Sequence, residues 1–261
     1  MRTIPPTKHP TPWHEWFLPA VGSTMDWARQ LTAQQTSRSE LVDALRVRTG
    51  RQRAGRGRRG APWWDSPGDS VLTTLAIRRT GRWDPGDRNP ASLALRAGIA
   101  VSRTLESFDV AGVGIKWPND IYMNDRKVCG ILVEADPRWF YVGIGLNMGS
   151  PSIPMGAGGD RSSAPPGDVS HALPSPVGLH TVVSVLDRCL AEALHDSHWG
   201  DAVRRRLLWM GADVHLERPS EPAVFGVLTG IDDDGAVLIR DPSHGTESRY
   251  VVGTLRVGAP S

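Results

Sequence analysis

Glycine and arginine are concentrated in one short segment, Gly50–Gly60, which reads GRQRAGRGRRG. Glycine lets a backbone approach a ligand with its N–H groups turned inward, and arginine offers a rigid fork of donors that fits a phosphate or a carboxylate. The segment therefore indicates a site for an anionic ligand such as a nucleotide. A solvated basic loop that attracts RNA without specificity is the alternative. The spacing differs from that of a Walker phosphate loop, which ends in Lys followed by Ser or Thr.

A second segment, Lys116–Glu134, reads KWPNDIYMNDRKVCGILVE. Pro118 restricts the residue before it and lacks an N–H, so the chain must turn there and present Asn119 and Asp120 at the end of a strand. An Asx turn that satisfies only its own backbone would explain the same two residues. Lys127 directly precedes an apolar run, where its ammonium can neutralise two anions that must approach each other, or can simply extend into solvent.

Lysine is scarce in this chain, which draws attention to each one. Of the 261 residues, 30 are Lys or Arg, and Lys8, Lys116 and Lys127 are the lysines, which leaves 27 arginines. The formal net charge is nevertheless only +2, because Asp and Glu together number 28. Dedicated nucleic-acid-binding proteins usually show a stronger imbalance, so the composition favours a small anionic ligand.

Gly143 and Gly145 alternate within the segment GIGLNMG. Glycine weakens the interior of a strand, and it commonly marks either a bulge or a place where a ligand lies against the sheet. Both interpretations are open.

Regular elements must position these segments. Ser23 or Thr24 can cap a helix over MDWARQLTA, where apolar residues recur with helical spacing. Further helices are predicted over residues 91–108 and over the amphipathic run from Val182 to Leu194. Strands are predicted at residues 45–48, 70–79, 114–117, 128–135 and 140–146. The turn sequence DPR between the last two indicates a hairpin.

The chain divides into three parts by composition. Residues 1–20 are a proline-rich N-terminal tail, too short to hold a DNA-binding helix-turn-helix. Residues 21–210 are expected to form an α+β catalytic domain, a mixed β-sheet with helices packed on it. Within it, residues 150–178 are rich in proline and glycine and are predicted to be a long mobile loop. Residues 211–261 alternate in short strands and are expected to form a small antiparallel barrel.

Cys129 and Cys189 are too few for a disulfide framework, and both lie in apolar runs, which indicates buried thiols in a reducing compartment.

No segment approaches the roughly 18 apolar residues of a membrane span, and the first residues lack the apolar region of a signal peptide. A soluble, cytoplasmic protein that binds no membrane is therefore expected.

Taken together, four motifs in this order resemble those of the biotin protein ligases. They are GSTMDWA, RQRAGRGRRG, KWPND with DRKVCGILVE, and GIGLN, and they extend from Ser23 to Asn147. GRGRRG and KWPND, the latter followed seven residues later by Lys127, are the most specific pair. The resemblance implies the biotin/lipoate ligase fold, which is class II synthetase-like, with an SH3-like C-terminal barrel. The short N terminus is similar to the monofunctional type that lacks a DNA-binding domain.

The resemblance also implies roles for individual residues. Lys127 and Arg58 would be catalytic, since Lys127 would contact the biotin carboxylate and the α-phosphate, and Arg58 would retain the reactive intermediate. Asp120 would lie near a magnesium ion, and Arg256 is a further candidate to reach ATP. The implied biotin-binding residues are Ser23, Thr24, Met25, Gln52, Arg56, Gly57, Arg58, Lys127, Gly130, Gly143 and Gly145. Those implied for ATP and the adenylate are Gly55, Arg56, Gly57, Arg58, Arg59, Gly60, Trp63, Asn119, Lys127 and Asn147.

The implied activity is ATP-dependent attachment of biotin to a lysine of a biotin carboxyl carrier protein, through biotinyl-5′-AMP. ATP and Mg²⁺ would be needed, biotin would be the substrate, and no DNA partner is expected. The oligomeric state is open, a homodimer included.

Two positions depart from the family pattern. Met25 stands where asparagine is frequent, and Ala61 stands where a further basic residue often follows GRGRRG.

Two alternatives compete with this interpretation. A lipoate or octanoate ligase or transferase of the same fold would need an elongated apolar tunnel and does not usually carry the GRGRRG and KWPND pair. An RNA-binding module that uses the arginine-rich loop would need aromatic stacking platforms among its basic residues and a stronger net charge, and the sequence has neither.

Overall fold

The computed structural model of the chain describes residues 13–35, 42–86, 89–153 and 165–258. Within these ranges the chain forms two β-sheets and four α-helices. The strands of the larger sheet are β1 (His14–Leu18), β2 (Ala44–Thr49), β3 (Ser70–Arg78), β4 (Val113–Lys116), β5 (Asp120–Met123), β6 (Arg126–Ala135) and β7 (Trp139–Asn147). The strands of the smaller sheet are β8 (Asp213–Arg218), β9 (Glu221–Ile231), β10 (Val237–Arg240), β11 (Glu247–Tyr250) and β12 (Thr254–Val257). The helices are α1 (Thr24–Gln35), α2 (Pro90–Glu106), α3 (Leu179–His195) and α4 (Trp199–Arg204).

The larger sheet is mixed, as expected for the α+β class. Its strand order is β1-β2-β3-β7-β6-β5-β4, in which β1 and β2 are parallel and the other neighbours are antiparallel. β6 and β7 form the predicted hairpin, so the KWPND segment and the GIGLN segment meet at the same end of the sheet. The prediction of the fold class is confirmed.

Helices cover both faces of this sheet. α1 packs on β2, β3 and β7, and the Ser23 hydroxyl caps it by accepting a hydrogen bond from the Met25 N–H at 3.2 Å. α2 packs on the opposite face against β4, β6 and α3, and Asn89 caps it by accepting from the Ala91 N–H at 3.0 Å. The first turn of α1 therefore lies at the edge of the sheet face that this helix covers.

Our expectation that residues 1–20 form a tail is wrong for residues 14–18, which form β1 and pair with β2. The reason is hydrophobic, because Trp13 is buried and Trp16 and Leu18 pack on the apolar cluster beneath α1. Residues 1–12 lie outside the described ranges. Sequence analysis also missed β5, whose four residues are bounded by turns on both sides.

The predicted loop at 150–178 is bound to the sheet over part of its length. Pro165 O accepts from the Lys127 N–H at 3.1 Å, and the Gly167 N–H donates to Lys127 O at 2.8 Å. Val169 is completely buried. This part of the segment therefore runs beside the beginning of β6 and is not the free loop that we expected, because its backbone groups are paired there. Residues 154–164 lie outside the described ranges.

The smaller sheet must curl, because its strand order is β11-β10-β9-β8-β12 and its two edge strands are consecutive in the chain. The connection from Tyr250 to Thr254 can span at most about 14 Å, whereas five flat strands would separate the edges by about 19 Å. A curled antiparallel sheet is the barrel-like arrangement that the sequence predicted.

One cluster of buried apolar side chains extends through both sheets and includes Leu95 and Trp199 from the helices and Leu228 from β9. A polar contact adds to it, since the Trp117 indole N–H donates to Gly235 O at 2.9 Å. Both cysteine thiols are free and buried. In the described part of the chain, no helix has the length and apolar character that crossing a membrane requires.

A buried ionic network joins β1, β2 and α3. The Arg46 side chain is 1% exposed and forms ion pairs with Glu15 and Asp187. Arg48 also pairs with Glu15, at 2.8 Å. Burial raises the pKa of Asp187 to about 6, against the opposing effect of Arg46. The guanidinium of Arg46 therefore offsets the cost of keeping two carboxylates away from water.

Replacing Arg46 with leucine should lower the free energy of unfolding by about 3–5 kcal/mol at pH 8, because an ionised Asp187 loses its cation. The deficit should shrink at pH 5, below the folded-state pKa, since Asp187 then binds a proton and needs no cation. Chemical denaturation at both pH values tests this, with Arg249→Leu as the control because its ion pairs are exposed. An equal loss in both variants, or a loss independent of pH, would contradict the role assigned to Arg46.

Candidate active site

A cavity of about 810 Å³ opens at the N terminus of α1, above β3, β6 and β7. Its volume lies in the range typical of small-molecule sites. The Gly50–Gly60 segment, the turn between β4 and β5, and Lys127 form the rest of its wall. Ile153, Pro166 and Thr254 complete it from distant parts of the sequence.

Apart from Arg256, which is described below, all but two of the sequence-predicted site residues line this cavity. The lining residues are Ser23, Thr24, Met25, Gln52, Arg56, Gly57, Arg58, Arg59, Gly60, Trp63, Asn119, Asp120, Lys127, Gly130, Gly143 and Gly145. The two exceptions are Gly55 and Asn147. Gly55 O instead accepts from the Trp63 N–H at 3.0 Å and so supports that residue.

Asn147, which the resemblance implies for ATP, does not line the cavity. Its side chain is fully buried, accepts from the Ser70 hydroxyl at 3.1 Å and donates to Gly167 O at 3.3 Å. Because internal partners engage its amide, Asn147 joins the end of β7 to β3 and to the 165–169 segment, and does not face the cavity.

One end of the cavity is polar but carries no charge. Gln52 Oε1 accepts from the Thr24 N–H at 2.9 Å and from the Thr24 hydroxyl at 3.1 Å. The Thr24 hydroxyl also lies 2.8 Å from the Thr74 hydroxyl. Sequence analysis missed Thr74, because a threonine inside an apolar strand is ordinary β-strand sequence and carries no signal of a site.

The floor of the cavity is a part of the sheet that has no side chains. Gly130 and Gly145 face each other across β6 and β7. A Cβ on Gly145 would lie 2.6 Å from Trp63 Cε2, and one on Gly130 would lie 2.8 Å from Trp63 Cζ3. The indole therefore lies directly against the backbone, and its N–H has no hydrogen-bond partner among the described residues.

The resemblance placed biotin against Gly130, Gly143 and Gly145, but in this structure protein side chains lie there. Trp63 covers Gly130 and Gly145, and the Met25 Cε atom would lie 3.1 Å from a Cβ on Gly143. Met25 is 3% exposed, so it belongs to the core beneath α1 as well as to the cavity wall. These glycines are needed at least as much for the tryptophan and the methionine as for any ligand.

Cations gather at the other end. Lys127 Nζ lies 2.7 Å from Asp120 Oδ1 and 5.6 Å from the centre of the Trp63 ring. Lys116 is buried beside them, where its ammonium donates to the Tyr122 hydroxyl at 3.2 Å. Burial lowers the pKa of Lys116, partly offset by Asp120. Lys116 lines the cavity although sequence analysis did not include it in the site.

Arg58 extends from the arginine-rich segment across the cavity. Its guanidinium donates to Asn119 Oδ1 at 3.3 Å and to Gly253 O at 3.3 Å, so it joins the turn after β4 to the smaller sheet. Burial lowers the pKa of Arg58, and the charge of Asp120 opposes that effect. Arg256, our further candidate for ATP, is not among the cavity-lining residues and pairs with Glu217 at 2.7 Å.

This arrangement suits a ligand with two chemically different ends. The neutral Thr24, Gln52 and Thr74 groups can hydrogen-bond an uncharged polar head, and the Lys127 and Arg58 cations can hold an anionic group. Residues 13–35, 42–86, 89–153 and 165–258 contain no group of three or more His, Cys, Asp or Glu side chains that could hold a metal by themselves.

Comparison with known proteins finds similarity to biotin and lipoate protein ligases. Residues 20–148 match the biotin/lipoate A/B protein ligase family. The bifunctional ligase/repressor BirA of Escherichia coli is 29% identical over 199 residues, which cover 72% of this chain and 59% of the relative. The chain thus spans less than two thirds of that relative's length. The biotin–[acetyl-CoA-carboxylase] ligase of Mycobacterium tuberculosis is 28% identical over 232 residues, 85% of this chain and 82% of the relative.

Among solved structures, the chain resembles the biotin protein ligase from Aquifex aeolicus in complex with biotin and ATP. The TM-score is 0.76 at 22% sequence identity, and the match covers 94% of this chain and 99% of the other. This likeness shows that the two chains share a fold across both sheets.

Substituting Gly145 with alanine should displace Trp63, because the new methyl group would lie within 3 Å of three indole atoms. An indole driven from the sheet into water should emit at longer wavelength. The chain has 10 tryptophans, so the Trp63 emission is obtained as the difference between each protein and its Trp63→Phe counterpart.

Gly22→Ala is the matched control, since a Cβ there meets nothing within 4 Å. If the difference spectrum is the same in the wild type, in Gly22→Ala and in Gly145→Ala, the described packing of Trp63 on the sheet is wrong.

Proposed function

Because residues 20–148 match the biotin/lipoate A/B protein ligase family, we propose that the chain is a biotin protein ligase. It uses ATP to convert biotin to biotinyl-5′-AMP and then transfers biotin to a lysine of a biotin carboxyl carrier protein. The observation that carries this proposal is the cavity itself, in which an uncharged polar end and a cationic end face a common space. Biotin has this division, with a neutral ureido ring at one end and a carboxylate at the other.

The first step joins two anions. A biotin carboxylate oxygen attacks the α-phosphorus of ATP, a new P–O bond forms, and the bond to pyrophosphate breaks. Positioning and charge neutralisation supply most of the catalysis in such a displacement. Lys127 can contact both the biotin carboxylate and the α-phosphate, because an ammonium has three donors and its ion pair with Asp120, at 2.7 Å, holds it at the cavity wall. Arg58 holds the product from the opposite wall.

The donor set also fits Mg²⁺, the ion that the resemblance of the motifs implies. Mg²⁺ is usually bound by one or two carboxylates together with substrate phosphates, and Asp120 provides one carboxylate at the cavity wall. When bound, the ion would neutralise phosphate charge. Asp120 keeps a second role in orienting Lys127.

The second step forms an amide. The neutral amine of the acceptor lysine attacks the acyl carbon of the adenylate, AMP leaves with the former anhydride oxygen, and the amine gives up a proton. No enzyme nucleophile is needed. The Gly50–Gly60 segment covers the cavity and would protect the anhydride from water until the acceptor arrives. Residues 211–261, which include the smaller sheet, form a separate domain in this proposal. This domain contributes the Gly253 carbonyl that accepts hydrogen bonds from Arg58.

The polar end of the cavity favours biotin over lipoate or octanoate. Thr24, Gln52 and Thr74 pair with one another, but their remaining donors and lone pairs can bond a ureido ring, whereas a dithiolane ring or a methyl terminus cannot use them. The RNA-binding alternative is disfavoured because Arg56 and Arg58 turn towards partners within the chain.

Purified protein with ATP and Mg²⁺ should catalyse biotin-dependent exchange of pyrophosphate into ATP, and lipoate and octanoate should not replace biotin. Lys127→Ala should lower the exchange rate by about 100-fold or more, because a preorganised cation at the reacting oxygens is lost. Arg138→Ala, in an exposed turn, is the control and should retain the rate. Exchange that needs no biotin, or that lipoate supports equally, would exclude the proposed activity.

Arg58→Gly should release the adenylate before transfer. The variant loses the contacts to Asn119 and Gly253 that hold the segment across the cavity. Free biotinyl-5′-AMP should accumulate in solution, and unrelated proteins should become labelled on surface lysines. Chromatography of the released nucleotide and labelling of a non-acceptor protein measure this. Labelling restricted to the carrier at the wild-type ratio would show that Arg58 does not retain the intermediate.

A further inference from the structure

Arg56 lies at the neck of the arginine-rich segment, where the chain folds back on itself. The Arg56 backbone is bridged to Pro62, and the Gly57 N–H donates to Ala61 O at 2.7 Å. Residues 57–61 therefore form the tip of a narrow excursion. Any group that holds Arg56 sets the point from which this tip extends.

Carboxylates of the protein body hold the Arg56 side chain. Its guanidinium donates to both oxygens of Asp26, at 2.6 and 3.0 Å, and its Nε lies 3.8 Å from Glu134 Oε1. Glu134 is itself paired with Arg29 at 2.8 Å, and the Arg29 guanidinium lies 4.4 Å above the Tyr141 ring. The neck is thus connected to α1, β6 and β7 through an ionic cluster. The Asp26 contact raises the pKa of Arg56, so the pair remains charged.

The tip has a different kind of anchor. Arg58 contacts neutral oxygens, the amide of Asn119 and the carbonyl of Gly253. Charge-assisted bidentate pairs are stronger and more directional than hydrogen bonds to neutral groups. The segment is therefore held at its neck by carboxylates of the protein body and at its tip by neutral oxygens, which an incoming anion can replace as the partner of Arg58.

We propose that Asp26 is a positioning residue of the ligase reaction, which acts through Arg56 to keep the arginine-rich segment over the cavity while the adenylate is present. This rests on the proposed function. Asp26 touches no reacting atom, but it follows Ser23, Thr24 and Met25, which line the cavity. In this proposal the same turn of α1 contacts the substrate and holds the arginine-rich segment, so the position of the segment is fixed relative to the substrate.

The pair is partly exposed, and this decides the size of the effect. The side chains of Arg56 and Asp26 are 30% and 54% exposed. An ion pair this exposed changes the equilibrium between the closed and open segment by up to about fivefold, and salt screens it. Its loss should leave global stability nearly unchanged and should act on the local opening of the segment.

Limited proteolysis measures that opening without any substrate. Trypsin cleavage after Arg58 and Arg59, located by mass spectrometry, should be about fivefold faster in Asp26→Asn than in the wild type at low salt. The ratio should approach one in 0.5 M NaCl, because the wild type then loses the pair as well. Asp26→Glu should restore most of the protection. Glu106→Gln removes a comparable bidentate pair with Arg206, far from the cavity, and should not change cleavage.

The functional consequence is measured separately as the fraction of adenylate lost to water. With wild-type protein and its acceptor, most adenylate should be transferred, and in Asp26→Asn the hydrolysed fraction should rise several-fold while the exchange rate of pyrophosphate is nearly kept. Unchanged cleavage in Asp26→Asn overturns the proposal, as does faster cleavage with an unchanged hydrolysed fraction. If the wild type forms no adenylate at all, the proposed function fails, whereas the cleavage result still decides whether Asp26 holds the segment.

Discussion

The absence of side chains at one place on the larger sheet determines where the rest of the site can lie. Gly130 and Gly145 face each other on β6 and β7, and the Trp63 ring lies against their backbone at distances that no Cβ would allow. Trp63 in turn forms one wall of the space where Lys127 and Asp120 meet. The two glycines therefore position the Trp63 indole, and the indole limits where Lys127 and Asp120 can lie.

The charges around the cavity are arranged so that they can exchange partners. Arg58 is held by neutral oxygens, so it can move to an incoming anion without leaving a carboxylate alone, and Lys127 can contact the anion while it stays beside Asp120. Arg46, by contrast, is fixed between Glu15 and Asp187 and serves stability. The same residue type thus has different roles, which burial and the identity of the partner determine.

Much of this could be predicted from local sequence. The capped helix α1, the β6–β7 hairpin and the gathering of four motifs in one cavity follow from periodicity, turn residues and the resemblance. Strand β1 could not be predicted, because it is stabilised by a parallel partner thirty residues away in the sequence. The roles of Thr74, Lys116 and Asp26 also depend on contacts between distant segments. Asn147 lies outside the cavity lining because its motif ends beside the site while its amide bonds inside the fold.

In the proposed function, one cavity makes an acyl-adenylate and retains it without a covalent bond to the protein. The most direct measurement is to incubate the protein with radiolabelled biotin, ATP and Mg²⁺ in the absence of acceptor, remove free ligand rapidly by gel filtration, and denature the bound fraction. We expect close to one equivalent of biotinyl-5′-AMP per chain, released intact on denaturation. Recovery of no adenylate, or of label that stays covalently attached to the denatured chain, would contradict it.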